Sequence, residues 1–158
     1  MTSQIQLEQV INGLNLDLSW EYAAMIQYIQ HTPVCSRAPE YTAVIDELLE
    51  HAQEEHEHAV VLSDLIQYLG GIPTVEVANR LTSLNNVEML RQDLQVEYDA
   101  IRRYLQRIEQ LEALQLYDSA QKIRNIAVVE QEHAIDLEKA LGIQKVQSGT
   151  VYPFSHNP

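Results

Sequence analysis

Glutamate and histidine recur at matched spacings in the two halves of the chain. Residues 55–59 read E-x-E-H-A, and residues 130–134 read the same. In a helix, positions i and i+3 lie on one face about one turn apart, so each segment can direct a carboxylate and an imidazole to one metal ion. These residues are Glu55, His58, Glu130 and His133. Mixed oxygen and nitrogen ligands suit Fe(II), Mn(II) or Zn(II) better than Ca(II) or Mg(II).

A second repeated segment supplies two further glutamates. Residues 17–22 and 93–98 both read D-L-x-x-E-Y. Glu21 precedes Glu55 by 34 residues, and Glu97 precedes Glu130 by 33. This agreement predicts a helical hairpin used twice. Two divalent cations would balance four buried carboxylates, which would otherwise bind protons. The candidate metal ligands are Glu21, Glu55, His58, Glu97, Glu130 and His133.

A neighbouring acid competes with Glu55 for the ligand position. Glu54 lies four residues before His58 and could share its helical face, but Val129 occupies the position four residues before His133. Because only the i−3 position is acidic in both halves, we prefer Glu55 and Glu130 as ligands.

Other polar residues near the candidate ligands have two interpretations each. Tyr28 and Tyr104 each follow a repeated glutamate by seven residues, so they could bond a ligand carboxylate or fill the core. Asp17 and Asp93 could orient the second nitrogen of a histidine or face water.

Two further histidines lie close to the second helix's candidate ligands. His51 could support the site or line a pore, although an interior or interface position is preferred. His56 is expected to face solvent.

Apolar residues at helical spacing predict four helices, near residues 4–31, 40–69, 87–114 and 117–141. Thr32-Pro33 is expected to end the first helix, which places Cys35 in a loop. The long polar connection at 72–86 would let the second and third helices run parallel. The prediction is an all-α four-helix bundle with a long crossover between helices two and three, over residues 1–142. Residues 143–158 are predicted to form a non-helical or partly ordered C-terminal tail.

Composition narrows the function classes. The 158 residues carry 10 basic and 23 acidic side chains, a net charge of −13 that disfavours nucleic acid and anionic membranes and attracts cations. No apolar run is long enough to span a membrane, and the first residues do not resemble a signal peptide. A single cysteine fits a cytoplasmic location.

The order and spacing of the six candidate ligands resemble the ferritin-like superfamily, and bacterioferritins most closely, over residues 7–142. The resemblance implies a ferritin-like bundle that holds two iron ions per chain, with Mn or Zn as alternatives. It also implies that the six ligands are catalytic in oxidising Fe(II) with O2 or H2O2, with Glu55 and Glu130 bridging.

Two departures from that pattern limit the expectation. His56 occupies the place of the methionine through which bacterioferritins bind haem, so no haem is predicted. The tail does not resemble a fifth short helix, so we expect a homodimer, with a larger cage as the alternative. Two other functions remain open: a non-cage protein that sequesters Mn or Zn, and a rubrerythrin-like di-iron protein that reduces peroxide.

Overall fold

A computed structural model describes residues 3–35 and 39–143, and four long helices account for most of them. The helices are α1 Ser3–Cys35, α2 Thr42–Tyr68, α3 Asn86–Ala113 and α4 Tyr117–Ala140. A 3₁₀ turn at Pro39–Tyr41 precedes α2. The predicted all-α four-helix bundle is therefore confirmed. Residues 144–158, most of the predicted tail, lie outside the described residues.

The contacts between helices establish their directions. Tyr28 on α1 bonds Glu97 on α3, whereas the earlier Glu21 bonds the later Tyr104, so α1 and α3 are antiparallel. A short link joins α1 to α2, and the two pack side by side in opposite directions. Helices α2 and α3 therefore run parallel, as a long crossover permits.

The crossover at residues 70–85 runs along α1 rather than projecting into solvent. Side-chain and backbone groups of α1 bond successive crossover residues in the same chain direction: Asn15 with Ile72 and Thr74, Ser19 with Ala78, and Gln27 with Leu81. At its end, the Asn85 side chain accepts a hydrogen bond from the Glu88 backbone N–H at 2.9 Å and caps α3.

Helix α1 continues beyond its predicted end. Pro33 lies inside its last turn, and the helix ends at Cys35, whose side chain is fully buried. The expectation that Thr32-Pro33 stops the helix and leaves Cys35 in a loop is wrong. A proline removes one backbone donor but keeps a helical φ, so a final turn can still form after it.

Two apolar clusters lie above and below a polar centre. One draws on residues 10–18 of α1 and 59–66 of α2, and the other on residues 24–35 and 48–52. The candidate ligands lie between these clusters, away from bulk water. None of the described helices combines the length and apolar character needed to cross a bilayer.

Candidate metal centre

The structure brings all six predicted ligands together in the middle of the bundle. Every one of them is at least nine-tenths buried. They form two groups whose ligand atoms lie within 4.8 Å of one another: Glu21, Glu55, His58 and Glu130, and Glu55, Glu97, Glu130 and His133. Because Glu55 and Glu130 belong to both groups, the arrangement suits two ions that share two carboxylates.

The first half of the centre is built around His58. Its Nδ1 lies 3.2 Å from Glu55 Oε2, 3.2 Å from Glu130 Oε1 and 3.3 Å from Glu21 Oε2. Three helices, α1, α2 and α4, therefore direct oxygen and nitrogen atoms at one small space.

The second half is built around His133. Its Nδ1 lies 3.2 Å from Glu55 Oε1, 3.3 Å from Glu130 Oε2 and 3.7 Å from Glu97 Oε1. The other ring nitrogen, Nε2, lies 2.7 Å from Glu54 Oε2. Glu54 is thus outside both ligand groups, but it fixes the orientation of the imidazole.

Several atoms at the centre have no hydrogen-bond partner among the described residues. They are Glu21 Oε2, Glu55 Oε1, both carboxylate oxygens of Glu130 and Nδ1 of His133. Buried polar atoms are normally paired, and an unpaired buried charge is strongly unfavourable. Two divalent cations would satisfy these atoms and neutralise the four carboxylates, so the donor set fits a di-metal site.

Burial and crowding shift the pKa values of these groups. Burial raises the pKa of Glu55 well above its usual range, and the carboxylates of Glu130 and Glu21 raise it further. Burial alone would lower the pKa of His58 and His133, but the close carboxylates around each ring outweigh it and raise the pKa of both. Without a cation, the centre therefore retains protons near neutral pH.

Two tyrosines hydrogen-bond Glu21 and Glu97, the two glutamates that belong to only one ligand group each, from the opposite helix. The Tyr28 hydroxyl on α1 donates to Glu97 Oε1 on α3, and the Tyr104 hydroxyl on α3 donates to Glu21 Oε1 on α1. Both tyrosines are fully buried, so each one fills space in the core and also hydrogen-bonds a carboxylate.

The repeated aspartates contact neither candidate ligand histidine. Arg107 Nε lies 2.9 Å from Asp17 Oδ2, and Nδ1 of His31 lies 2.8 Å from Asp93 Oδ1. Both aspartates are buried. The expectation that they face water is therefore wrong. The alternative, a bond to a histidine nitrogen, holds for Asp93, although His31 is not a candidate ligand. It fails for Asp17, which pairs with Arg107. Arg107 and His31 were not predicted as the partners of these aspartates, although an acid repeated on a buried helix face must pair with some polar group.

The two other histidines of α2, His51 and His56, lie inside the bundle and at its surface respectively, as expected. His56 is exposed on α2. His51 is buried, and its ring stacks on that of His133 with centroids 4.0 Å apart. Burial lowers the pKa of His51 to about 4, with a further contribution from His133.

Comparison with known proteins shows the family to which the chain belongs. The model of the ferritin-like domain family matches residues 11–146, which is most of the chain. The chain belongs to the ferritin-like family. A bacterioferritin from Brucella melitensis biotype 1 is 32% identical over 136 residues, which cover 85% of this ferritin-like chain and 84% of the relative.

A solved structure has the same fold. It is described as a ferritin-like, diiron-carboxylate protein from Bacillus anthracis str. Ames, and it superposes with a TM-score of 0.83 at 29% identity. The match covers 89% of this ferritin-like chain and 99% of the other.

Proposed function

We propose that this protein binds two iron ions per chain and oxidises Fe(II) with O2 or H2O2. The observation that carries the proposal is the pair of buried ligand groups that share Glu55 and Glu130, with carboxylate oxygens left unpartnered among the described residues. The similarity to a bacterioferritin and to a diiron-carboxylate protein supports iron as the metal.

Each ligand has a distinct role in this proposal. Glu55 and Glu130 would bridge the two ions, because each reaches both groups. Glu21 with His58 would complete one half, and the corresponding pair on α3 and α4, Glu97 with His133, would complete the other. When bound, two Fe(II) ions supply the two electrons that reduce H2O2 to water or O2 to H2O2.

The surrounding residues would keep the centre ordered through that change of charge. The hydroxyls of Tyr28 and Tyr104 each hold one oxygen of a terminal glutamate, which leaves the second oxygen for a cation. The two apolar clusters exclude water on either side, so the carboxylates interact with cations more strongly than they would in water.

Fe(II) oxidation by the metal-free protein tests the proposal. Fe(II) and O2, or Fe(II) and H2O2 under anaerobic conditions, are mixed with the protein while Fe(III) absorbance and oxidant consumption are recorded. We expect oxidation well above the protein-free rate and two ions per chain by elemental analysis. Binding of two ions without faster oxidation would instead indicate metal sequestration.

Substitutions at the shared carboxylates test the ligand assignment. Glu130→Gln and Glu55→Gln should each lose at least one tightly bound ion, because each removes a negatively charged bridging ligand. Glu132→Gln is the control, since Glu132 lies on the same helix but is exposed. Two tightly bound ions in either bridging variant would contradict the assignment.

We further propose that the protein is at least a homodimer. Apolar side chains are exposed on the outer surfaces of α1 and α2, including Ile26, Ile29, Leu49 and Val60. Exposed apolar surface of this kind favours association. Light scattering should give a mass of at least two chains. A much larger particle would indicate a cage, and a monomer would contradict the proposal.

A further inference from the structure

A third group of metal-binding side chains lies outside the di-metal centre. Glu47, His51 and Asp136 each offer a ligand atom within 4.8 Å of the others. All three line a cavity of about 340 Å³ between α2 and α4. Within the group, Glu47 is exposed to solvent, Asp136 is partly exposed and His51 is buried.

The buried imidazole of His51 lacks the hydrogen bonds that such a group normally has. Its Nδ1 has no partner among the described residues, and its side chain is only 3% exposed. Its Nε2 lies 3.9 Å from Asp136 Oδ2, which is too far for a hydrogen bond. That distance is less than twice the ~2.1 Å bond of a transition metal to nitrogen or oxygen, so one ion can contact both atoms.

Asp136 is oriented for this contact by a neighbouring lysine. The Lys139 ammonium lies 2.8 Å from Asp136 Oδ1, which leaves Oδ2 on the side of His51. Glu47 lies one turn before His51 on α2 and completes the group from the solvent side. An imidazole with two carboxylates is a ligand set for Fe(II), Mn(II), Co(II) or Zn(II).

The group is next to one half of the di-metal centre. The ring of His51 stacks on that of His133, and Glu54, one turn after His51 on α2, contacts His133 from the same side. A cation held by Glu47, His51 and Asp136 would therefore be separated from the His133 half only by this layer of side chains.

The internal repeat supplies a natural comparison between the same two helices, at the opposite end of the centre. The E-x-E-H-A segments are offset by 75 residues, so the counterparts of Glu47, His51 and Asp136 are Lys122, Ile126 and Val61. These three residues also line a cavity between α2 and α4, next to His58. A lysine, an isoleucine and a valine give no carboxylate or imidazole ligand, so the equivalent cavity cannot hold a cation in this way.

We propose that Glu47, His51 and Asp136 bind a third divalent transition-metal cation and supply it to the di-metal centre from the His133 side only. The supply step rests on the function proposed above, whereas binding of a third ion does not. The net charge of −13 would concentrate cations near the protein, and the exposed Glu47 would be the first ligand they meet.

Equilibrium dialysis with Co(II) tests binding. The full chain should bind about three ions, the third more weakly, because the third site has fewer protein ligands than the centre. Glu47→Gln combined with Asp136→Asn should bind about two. Both positions are at least partly exposed, so the variant is expected to fold. Glu57→Gln is the matched control, since it removes one carboxylate beside the opposite cavity and should retain the third ion.

Fe(II) oxidation under limiting Fe(II) tests supply. The initial rate in the double variant should fall about tenfold, because the lost carboxylates no longer concentrate cations beside His51. Glu57→Gln should leave the rate unchanged. Two Co(II) ions on the unmodified protein, with none lost in the double variant, would overturn the third site but leave the di-metal centre intact. An unchanged oxidation rate in the double variant would overturn supply. Failure of the unmodified protein to bind even two ions would overturn the proposed function instead.

Discussion

Glu54 on α2 contacts His133 on α4, with 2.7 Å between Glu54 Oε2 and the histidine Nε2. The nitrogen on the other side of the ring, Nδ1, faces the centre. At the repeat-related position opposite His58 stands Val129, which offers no acceptor. The two halves of the centre therefore share a ligand pattern but differ in what orients their imidazoles.

Glu54→Val should make the two halves alike and weaken one of them. Loss of the carboxylate leaves His133 without its orienting partner, and such partners typically contribute about 10–100-fold to metal affinity. A competition titration with Zn(II) and a chromophoric chelator would resolve the two affinities. Glu57→Val, which removes an exposed acid from the same helix, is the control. Two unchanged affinities in Glu54→Val would show that this contact has no effect on the metal.

Tyr104→Phe should weaken binding at the Glu21 half. The variant removes the hydroxyl that donates to Glu21, and a hydrogen bond to a charged group contributes about 1.5–3 kcal/mol. We expect about a tenfold or greater loss of affinity for one ion in the same titration. Tyr28→Phe should have the corresponding effect through Glu97.

The control for the tyrosine variants is Tyr22→Phe. Tyr22 is next to Glu21 in the chain, yet its hydroxyl makes no hydrogen bond to the carboxylates within the described residues. Equal losses in Tyr22→Phe and Tyr104→Phe would show that the effect is not specific to the Glu21 contact.

Metal binding should release protons and weaken as the pH falls. The pKa values of His58 and His133 are raised by the carboxylates around them, and burial raises the pKa of Glu55, so these groups hold protons below those pKa values. A cation must displace these protons, so the apparent Kd should rise about tenfold for each unit by which the pH falls, for each proton displaced. Calorimetry in two buffers of different ionisation enthalpy would count the protons. A Kd that is constant between about pH 6 and 8 would contradict the pKa directions.

Asp17→Asn should destabilise the bundle without removing a candidate ligand. Burial raises the pKa of Asp17 even though the Arg107 guanidinium lowers it, so the ion pair only partly offsets its desolvation. Removing one partner leaves Arg107 buried without a counter-charge, which typically costs about 3–5 kcal/mol of unfolding free energy. Urea unfolding measures the loss.

A double variant separates the two contributions to that loss. Asp17→Leu with Arg107→Met removes both charges and should recover much of the stability, because apolar replacement of a buried pair is often neutral. Asp118→Asn removes a partner of the exposed Lys122 and should leave the stability unchanged. A double variant as unstable as Asp17→Asn would indicate that packing, rather than charge, holds this contact.

The six candidate ligands could be named from the sequence because the repeat duplicates polar residues at matched spacings, and the structure brings these side chains together. Glu55 could be separated from Glu54 by comparing the two halves. The partners of Asp17 and Asp93 could not be predicted in this way. Arg107 and His31 meet them only because α1 and α3 are antiparallel at one register, and no local spacing encodes that register.

The end of α1 shows a different limit. Thr32-Pro33 is a strong local stop signal, but the turn that follows buries Cys35 against the second apolar cluster. The stacking of His51 on His133 was likewise outside the reach of the sequence, because it depends on how α2 and α4 face each other. Local signals therefore identified the candidate ligands, whereas tertiary contacts decided their surroundings.

The crossover along α1 joins two hairpins that each carry two of the candidate ligand glutamates and one candidate ligand histidine. Two copies of a single such hairpin, related by a two-fold axis, would already contain every ligand of the centre. A homodimer of one hairpin would thus be sufficient to bring together the same six side-chain types. The two hairpins of this chain differ at Glu47 and Lys122, and at His51 and Ile126, so two identical hairpins would surround the centre symmetrically whereas this chain does not.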